Sequence, residues 1–161
     1  RMMDTASLIS EIQSRPAQTI VCDRILVPID GSPASMHAVE WAIDLAREAD
    51  AELTILMVID YGAHISAFEQ VSMSGYLPSE LKIAAYRFLA ELMHEIPRSV
   101  RAHTRVEEGD PGEVTVAVAA EEESHLIVMG SRGFGTFERI AFGSVSTYVT
   151  HHAHSPVLLV K

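Results

Sequence analysis

Ile25-Leu26-Val27-Pro28-Ile29-Asp30-Gly31-Ser32-Pro33 compresses a strand, a turn and a helix start into one short stretch. Apolar residues run unbroken from Ile25 to Ile29, Asp30-Gly31-Ser32 closes the run, and Ser32 and Pro33 suit the cap and first turn of a helix. Met36, Val39, Glu40, Ile43, Ala46 and Arg47 then recur with a helical period, and Trp41 reads as the residue that anchors this helix to a sheet. The same grammar repeats downstream. Leu53 to Ile59 is a near-continuous apolar strand, the pattern expected when both faces are covered. A helix opens at Ser79 with a stripe of Leu81, Ala85, Phe88, Leu89, Leu92 and Ile96, and residues 100–106 alternate apolar and polar as an outer strand would. Gly109-Asp110-Pro111-Gly112 punctuates the chain before a helix over 113–123, whose β-branched valines make it dependent on packing. Leu126 to Met129 is a fourth strand, followed by a helix over 142–151 and a last strand, Pro156 to Val160. Strand and helix alternate four times before a closing strand. That order predicts an α/β fold: one open, doubly wound parallel sheet with helices on both faces and right-handed crossovers.

Two segments fall outside the alternation. Residues 1–22 read as an N-terminal extension, helical through Leu8, Ile9 and Ile12 until Pro16 ends it, ahead of a single domain over 23–161. Tyr61 to Pro78, with Gly62, Gly75 and several serines, reads as a long loop. A chain of 161 residues with 48% hydrophobic and 21% charged content is sized and composed for one soluble domain. No apolar run approaches the ~18 residues of a membrane span, and Arg1-Met2-Met3-Asp4 lacks the pattern of a signal peptide. With Cys22 as the one cysteine, an internal disulfide is impossible and a cytoplasmic location is expected. A net charge of −10 argues against nucleic-acid binding, which needs a basic footprint. A nucleotide can still bind an acidic chain, because local N–H groups and an arginine outweigh distant charges screened within about 8 Å.

The chemistry concentrates in Gly130-Ser131-Arg132-Gly133, nine further residues, and Gly143-Ser144. Glycines at a strand-to-helix junction let backbone N–H groups approach a ligand, and a helix N-terminus favours anions, so the spacing points to phosphate. In an open parallel sheet ligands lie beyond the carboxyl ends of the strands, where strand order reverses. Asp30, Val58 and Gly130 all fall at such ends. A P-loop is excluded because no lysine lies between Lys82 and Lys161. A dinucleotide fingerprint is excluded because Gly133-Phe134-Gly135-Thr136-Phe137-Glu138 lacks the third glycine and does not follow the first strand.

Gly-x-x-Gly, nine residues, then Gly-Ser/Thr resembles the nucleotide-binding signature of the universal stress proteins. Val27-Pro28-Ile29-Asp30-Gly31-Ser32, Asp110-Pro111, Leu126 to Gly130 and His152 to Val160 are similar to other segments of that family. The resemblance covers roughly residues 23–161. It implies a five-stranded parallel sheet of order 3-2-1-4-5, a stress-response regulatory role, and ATP, ADP or AMP as ligand, in a homodimer. It also implies site roles: Asp30 at the adenosine end with Pro28 and Ile29 beside it, and Val58 offering backbone groups to the base. Met129 and Gly130 would flank the ribose, and Arg132, Gly133, Gly143, Ser144, Val145 and Ser146 would surround the phosphates. The long 61–78 loop, the N-terminal extension and Glu138 depart from the family's commoner pattern.

Other readings stand beside this one. Asp30 can act simply as a helix cap, and Gly143-Ser144 as a turn and cap. Ser144, Ser146 and Asp30 can assist a bound Mg²⁺, and a weak ATPase or autophosphorylating enzyme would use Ser144 or Ser146. With no general base apparent in the loop, binding is favoured over turnover. A nucleotide-free protein-interaction module is the third reading. His151, His152 and His154 read as structural histidines at a helix end, and Glu121-Glu122-Glu123 as a solvated helix end, rather than as metal ligands. Finally, Val157-Leu158-Leu159-Val160 would lie at a sheet edge, apolar on both faces. Antiparallel pairing with the same strand of a second chain would close it, unless the N-terminal extension covers it.

Overall fold

The computed structural model describes residues 2–16, 20–61, 78–131 and 143–161. Ten elements follow in chain order: α1 (Thr5–Ser14), β1 (Arg24–Ile29), α2 (Pro33–Ala49), β2 (Glu52–Ile59), α3 (Pro78–Glu95), β3 (Arg101–Glu108), α4 (Pro111–Glu121), β4 (Leu126–Gly130), α5 (Ser144–His152) and β5 (Val157–Val160). The five strands form one all-parallel sheet of order β3-β2-β1-β4-β5.

Strand periodicity divides the core. Ile25, Val27, Ile29, Leu53, Ile55 and Val128 face one side with Ala38, Val39, Ala42 and Ala46 of α2 and Leu89 of α3. Leu26, Leu56, Ile127 and Met129 face the other with Val118 and Ala119 of α4 and Val145 and Val149 of α5. The segregation follows from topology. From β1 to β3 the chain steps outward in one direction, so right-handed crossovers put α2 and α3 on one face. It then returns past β1 to β4 and β5, and α4 and α5 cover the opposite face. The central strands are buried on both sides, which explains their continuous apolar runs; each fully buried Leu or Ile contributes about 1.5–3 kcal/mol.

Helix starts obey local chemistry. Ser32 caps α2 by accepting the Ser35 N–H, with Pro33 in the first turn, and Asp110 caps α4 by accepting the Glu113 N–H at 2.9 Å, with Pro111 next. The Asp110 cap starts α4 ahead of residue 113, where periodicity alone begins it. Gly112 is then buried in the first turn, directly against Tyr148 of α5.

Three features differ from their sequence reading. Trp41 does not anchor α2 to the sheet: it is 49% exposed and lines a groove with His37 and with Leu158, Leu159 and Val160 of β5. Helical position, not side-chain type, decides this, because Ala38, Val39 and Ala42 hold the sheet-facing stripe. Glu121, Glu122 and Glu123 are not simply solvated. Arg105 of β3 pairs with Glu121 at 2.9 Å, Glu122 at 3.2 Å and Glu107 at 2.6 Å, while Arg24 pairs with Glu123 at 3.5 Å. These pairs tie the end of α4 back to the sheet. Lastly, α1 forms with Asp4 as its cap, yet every one of its residues is exposed, so its apolar stripe is not buried over the β5 edge. The long loop expected over 61–78 lies almost wholly outside the described residues.

Candidate functional site

Strand order reverses between β1 and β4, and the ladder between them stops short of their carboxyl ends. β1 pairs with β2 along its whole length, from Arg24↔Glu52 to Ile29↔Met57. Its pairing with β4 comprises only Ile25↔Leu126 and Leu26↔Ile127. Pro28, which has no N–H to donate, sits in the half of β1 that leaves β4. These carboxyl ends flank the topological switch point of the sheet, where open α/β sheets form the crevice that takes ligands.

One wall is the turn after β1. Gly31 has φ +80°, a left-handed conformation that glycine adopts without strain. It lets the Asp30 carboxylate fold over the turn, where Oδ1 accepts the Ser32 N–H at 2.9 Å. Ser32, not Asp30, caps α2, so the simple capping reading of Asp30 gives way to an Asx turn. Among the described residues this is the carboxylate's one hydrogen bond. Beneath the turn, the fully buried Ser35 hydroxyl donates to the Ser32 carbonyl at 3.0 Å and accepts the Asp30 N–H at 3.4 Å.

The opposite wall is built where β4 meets α5. Ser131, 3% exposed, continues β4 by donating its N–H to the Val160 carbonyl at 2.9 Å. Its own carbonyl accepts the Gly143 N–H at 2.8 Å and the Ser146 hydroxyl at 3.3 Å. Residues 131 and 143 are thus held together as a stem. Gly143 is the N-cap of α5 and supplies no side-chain cap. The N–H groups of Ser144 and Val145 therefore head the helix at its positive end, where an anion is favoured.

The sequence-derived residues take distinct places in this frame. Asp30, half-buried, ends the β1 side and Val58, half-buried near the end of β2, lies beside it, whereas Pro28 and Ile29 are buried, the Ile29 side chain within the core beneath α2 and α3. Gly130, Gly143, Ser144, Val145 and Ser146 lie along the other side. Met129, Val145 and Ser146 contribute differently from their expected roles. The Met129 and Val145 side chains are buried in the core between the sheet and α4–α5, leaving only backbone to the crevice. The Ser146 hydroxyl is likewise turned inward, donating to the Gly143 carbonyl at 2.9 Å as well as to Ser131. Arg132, Gly133 and Glu138 lie outside the described residues. Ser35 and the Ser131 carbonyl escape a motif search because their work is internal hydrogen bonding. A serine three residues past a helix cap is the signal that finds Ser35.

Away from the crevice, His152 has a structural post. It stacks on Tyr148 at 4.0 Å and its Nδ1–H donates to the Tyr148 carbonyl at 2.9 Å, satisfying an acceptor near the end of α5. Among the described residues no group of three or more His, Cys, Asp or Glu side chains could hold a metal ion, and no helix is long and apolar enough to cross a membrane.

Comparison with known proteins agrees with this geometry. The model of the universal stress protein family matches residues 22–161. A universal stress protein of Methanocaldococcus jannaschii is 33% identical over 151 residues, covering 86% of this chain and 81% of its own length. Among solved structures, a universal stress protein from Lactobacillus plantarum superposes with TM-score 0.68 at 26% identity, covering 87% of this chain and 98% of that one. A universal stress protein in complex with cAMP superposes with TM-score 0.63 at 25% identity, covering 86% of this chain and 96% of its own. With the sheet order and a family match that spans all five strands, the chain belongs to the universal stress protein family.

Proposed function

We propose that this protein is an adenine-nucleotide-binding regulatory protein of the stress response, acting by binding rather than turnover, with ATP, ADP or AMP as ligand. The observation that carries the reading is the β1–β4 switch point, flanked by the Asp30 carboxylate on one side and by an α5 N-terminus without a side-chain cap on the other. Asp30 Oδ2 suits a ribose hydroxyl, and the backbone of Val58 suits the edge of the base. Gly130 and the main chain of Met129 border the sugar. The Ser144 and Val145 N–H groups receive phosphate oxygens, a backbone recognition that an overall charge of −10 does not prevent. Arg132 and Gly133 complete the phosphate side by sequence position. The complex of a family member with cAMP supports the nucleotide class. A Mg²⁺ accompanying ATP would find an oxygen donor in the exposed Ser144 hydroxyl beside the phosphates; the inward Ser146 hydroxyl is a poor candidate for coordination or autophosphorylation.

The working unit in this reading is a cytoplasmic homodimer closed through β5. Among the described residues that strand pairs with β4 alone, its Leu158 and Leu159 are half-buried, and the half-exposed Trp41 stands beside it. Pairing two β5 edges would satisfy their backbone groups and cover both Trp41 side chains.

Calorimetric titration with ATP, ADP, AMP and cyclic AMP at physiological salt tests the function. Saturable binding of at least one, weakened by Asp30→Ala in a folded protein, is expected. Absence of binding by all four at millimolar concentration would overturn it.

A further inference from the structure

Both crevice walls rest on the same device. Ser35 is the third residue of α2 and Ser146 the third residue of α5, counted from their caps Ser32 and Gly143. Both are buried, at 0% and 2% exposure, and neither side chain can reach a ligand from that position. Each hydroxyl turns back to the carbonyl of its own cap residue, at 3.0 Å for Ser35 and 2.9 Å for Ser146. Each also bonds the chain that enters the turn. The Ser35 hydroxyl accepts the Asp30 N–H at 3.4 Å, and the Ser146 hydroxyl reaches the Ser131 carbonyl at 3.3 Å. A buried hydroxyl in a helix interior is ordinarily neutral or unfavourable, and here each one adds a second tie between the helix start and the chain that enters it: Ser146 to a Ser131 carbonyl that already accepts the Gly143 N–H, Ser35 to the Asp30 N–H.

We infer that Ser35 and Ser146 are a pair of positioning residues for nucleotide binding, Ser35 setting the Asp30 turn at the adenosine end and Ser146 setting the Ser131–Gly143 stem at the phosphate end. The inference rests on the functional reading above and assigns its two ends to separate supports. Gly143 leads directly into the Ser144 and Val145 N–H groups, so its position fixes where those donors point. Asp30 follows Ile29 directly, so the tilt of its peptide fixes where Oδ2 points. Each hydroxyl therefore governs one half of the ligand.

The test is a two-by-two comparison of Ser35→Ala and Ser146→Ala, titrated with adenosine and with ATP. Ser146→Ala is expected to weaken ATP by about 3- to 10-fold, the scale of one net hydrogen bond, with adenosine unchanged. Ser35→Ala is expected to weaken adenosine and ATP by the same factor. Ser35→Thr and Ser146→Thr, which keep the hydroxyl, are expected to restore each pattern. Equal losses for both ligands in Ser146→Ala, or no loss in either variant, would overturn the assignment. Amide hydrogen exchange in the ligand-free variants provides an independent reading: faster exchange at Gly143 in Ser146→Ala, and at Asp30 and Ser32 in Ser35→Ala, is expected. Unchanged exchange at those amides would overturn the positioning role even if the wild-type protein binds no nucleotide, a result that would count against the functional reading alone.

Discussion

Replacing Gly112 by alanine sets two opposed effects against each other, and the structure decides the sign. Alanine in a helix is favoured over glycine by about 1 kcal/mol, so on propensity alone the variant should be more stable. The new Cβ, however, would lie 2.8 Å from Cδ1, 3.0 Å from Cγ and 3.1 Å from Cβ of Tyr148. Rotating the ring relieves the first contact but not the others, because Cβ and Cγ sit at the root of the side chain. The α4–α5 packing must therefore open, and overpacking of this kind costs about 1–3 kcal/mol. The balance is a net loss of up to about 2 kcal/mol, read as a lower urea midpoint with an unchanged slope. Tyr148→Ala removes the obstruction, so adding Gly112→Ala in that background should stabilise, reversing the sign; the two sites then couple by about 1–3 kcal/mol. Since α5 carries Ser144 and Val145, the single variant should also bind ATP more weakly. A stabilised Gly112→Ala in the wild-type background would refute the close packing of α4 on α5.

Other expectations follow from the same frame. Gly109 has φ +137° and its N–H donates to the Ile59 carbonyl at 3.0 Å; an added Cβ would lie 2.9 Å from Val114, so Gly109→Ala should cost about 1–3 kcal/mol in chemical denaturation, and a neutral result would contradict the turn geometry. Arg105→Ala should destabilise by about 1–3 kcal/mol, because it removes the cation shared by three carboxylates and leaves Glu107, Glu121 and Glu122 to repel one another; a loss that does not shrink when salt is added would argue against that repulsion. The N–H and hydroxyl of Ser7, in that order of effect, hold the Asp4 carboxyl below its ordinary pKa. Its contribution to α1 is therefore present above the unfolded aspartate value of about 3.9 and lost as pH falls through the lower folded value, so Ser7 amide protection should fade only in that acid range. Persistence of that protection after Asp4→Ala would refute the cap. Trp41 is the chain's one tryptophan, so its emission should shift to the blue as protein concentration carries the chain from monomer to dimer. Light scattering that gives a monomer mass at micromolar concentration would contradict the dimer.

The fold was legible because topology and hydrophobic pattern agree. Runs such as Ile25 to Ile29 and Leu53 to Ile59 admit only doubly covered strands, and the caps Ser32 and Asp110 mark the helices that separate them. The placement of Asp30, Gly130 and Gly143 at strand and helix ends was legible for the same reason. Side-chain direction was not. Met129 and Ser146 flank the motif, yet one fills the core and the other closes a stem, because a residue's place on a strand or helix decides which way it points. Trp41 was misread on residue type: α2 turns its alanine stripe to the sheet and leaves the indole outside. Pro28 reads in sequence as part of an apolar run, and its missing N–H acquires meaning only beside the β4 strand that it leaves.

Backbone amide chemical-shift mapping, with adenosine and then ATP added to the intact protein, tests the central claim most directly. Adenosine should move the amides of Asp30 and Val58, and ATP should move these together with Ser144 and Val145 at the head of α5. Shifts confined to another face of the sheet, or an ATP response that leaves Ser144 and Val145 unmoved, would contradict the account.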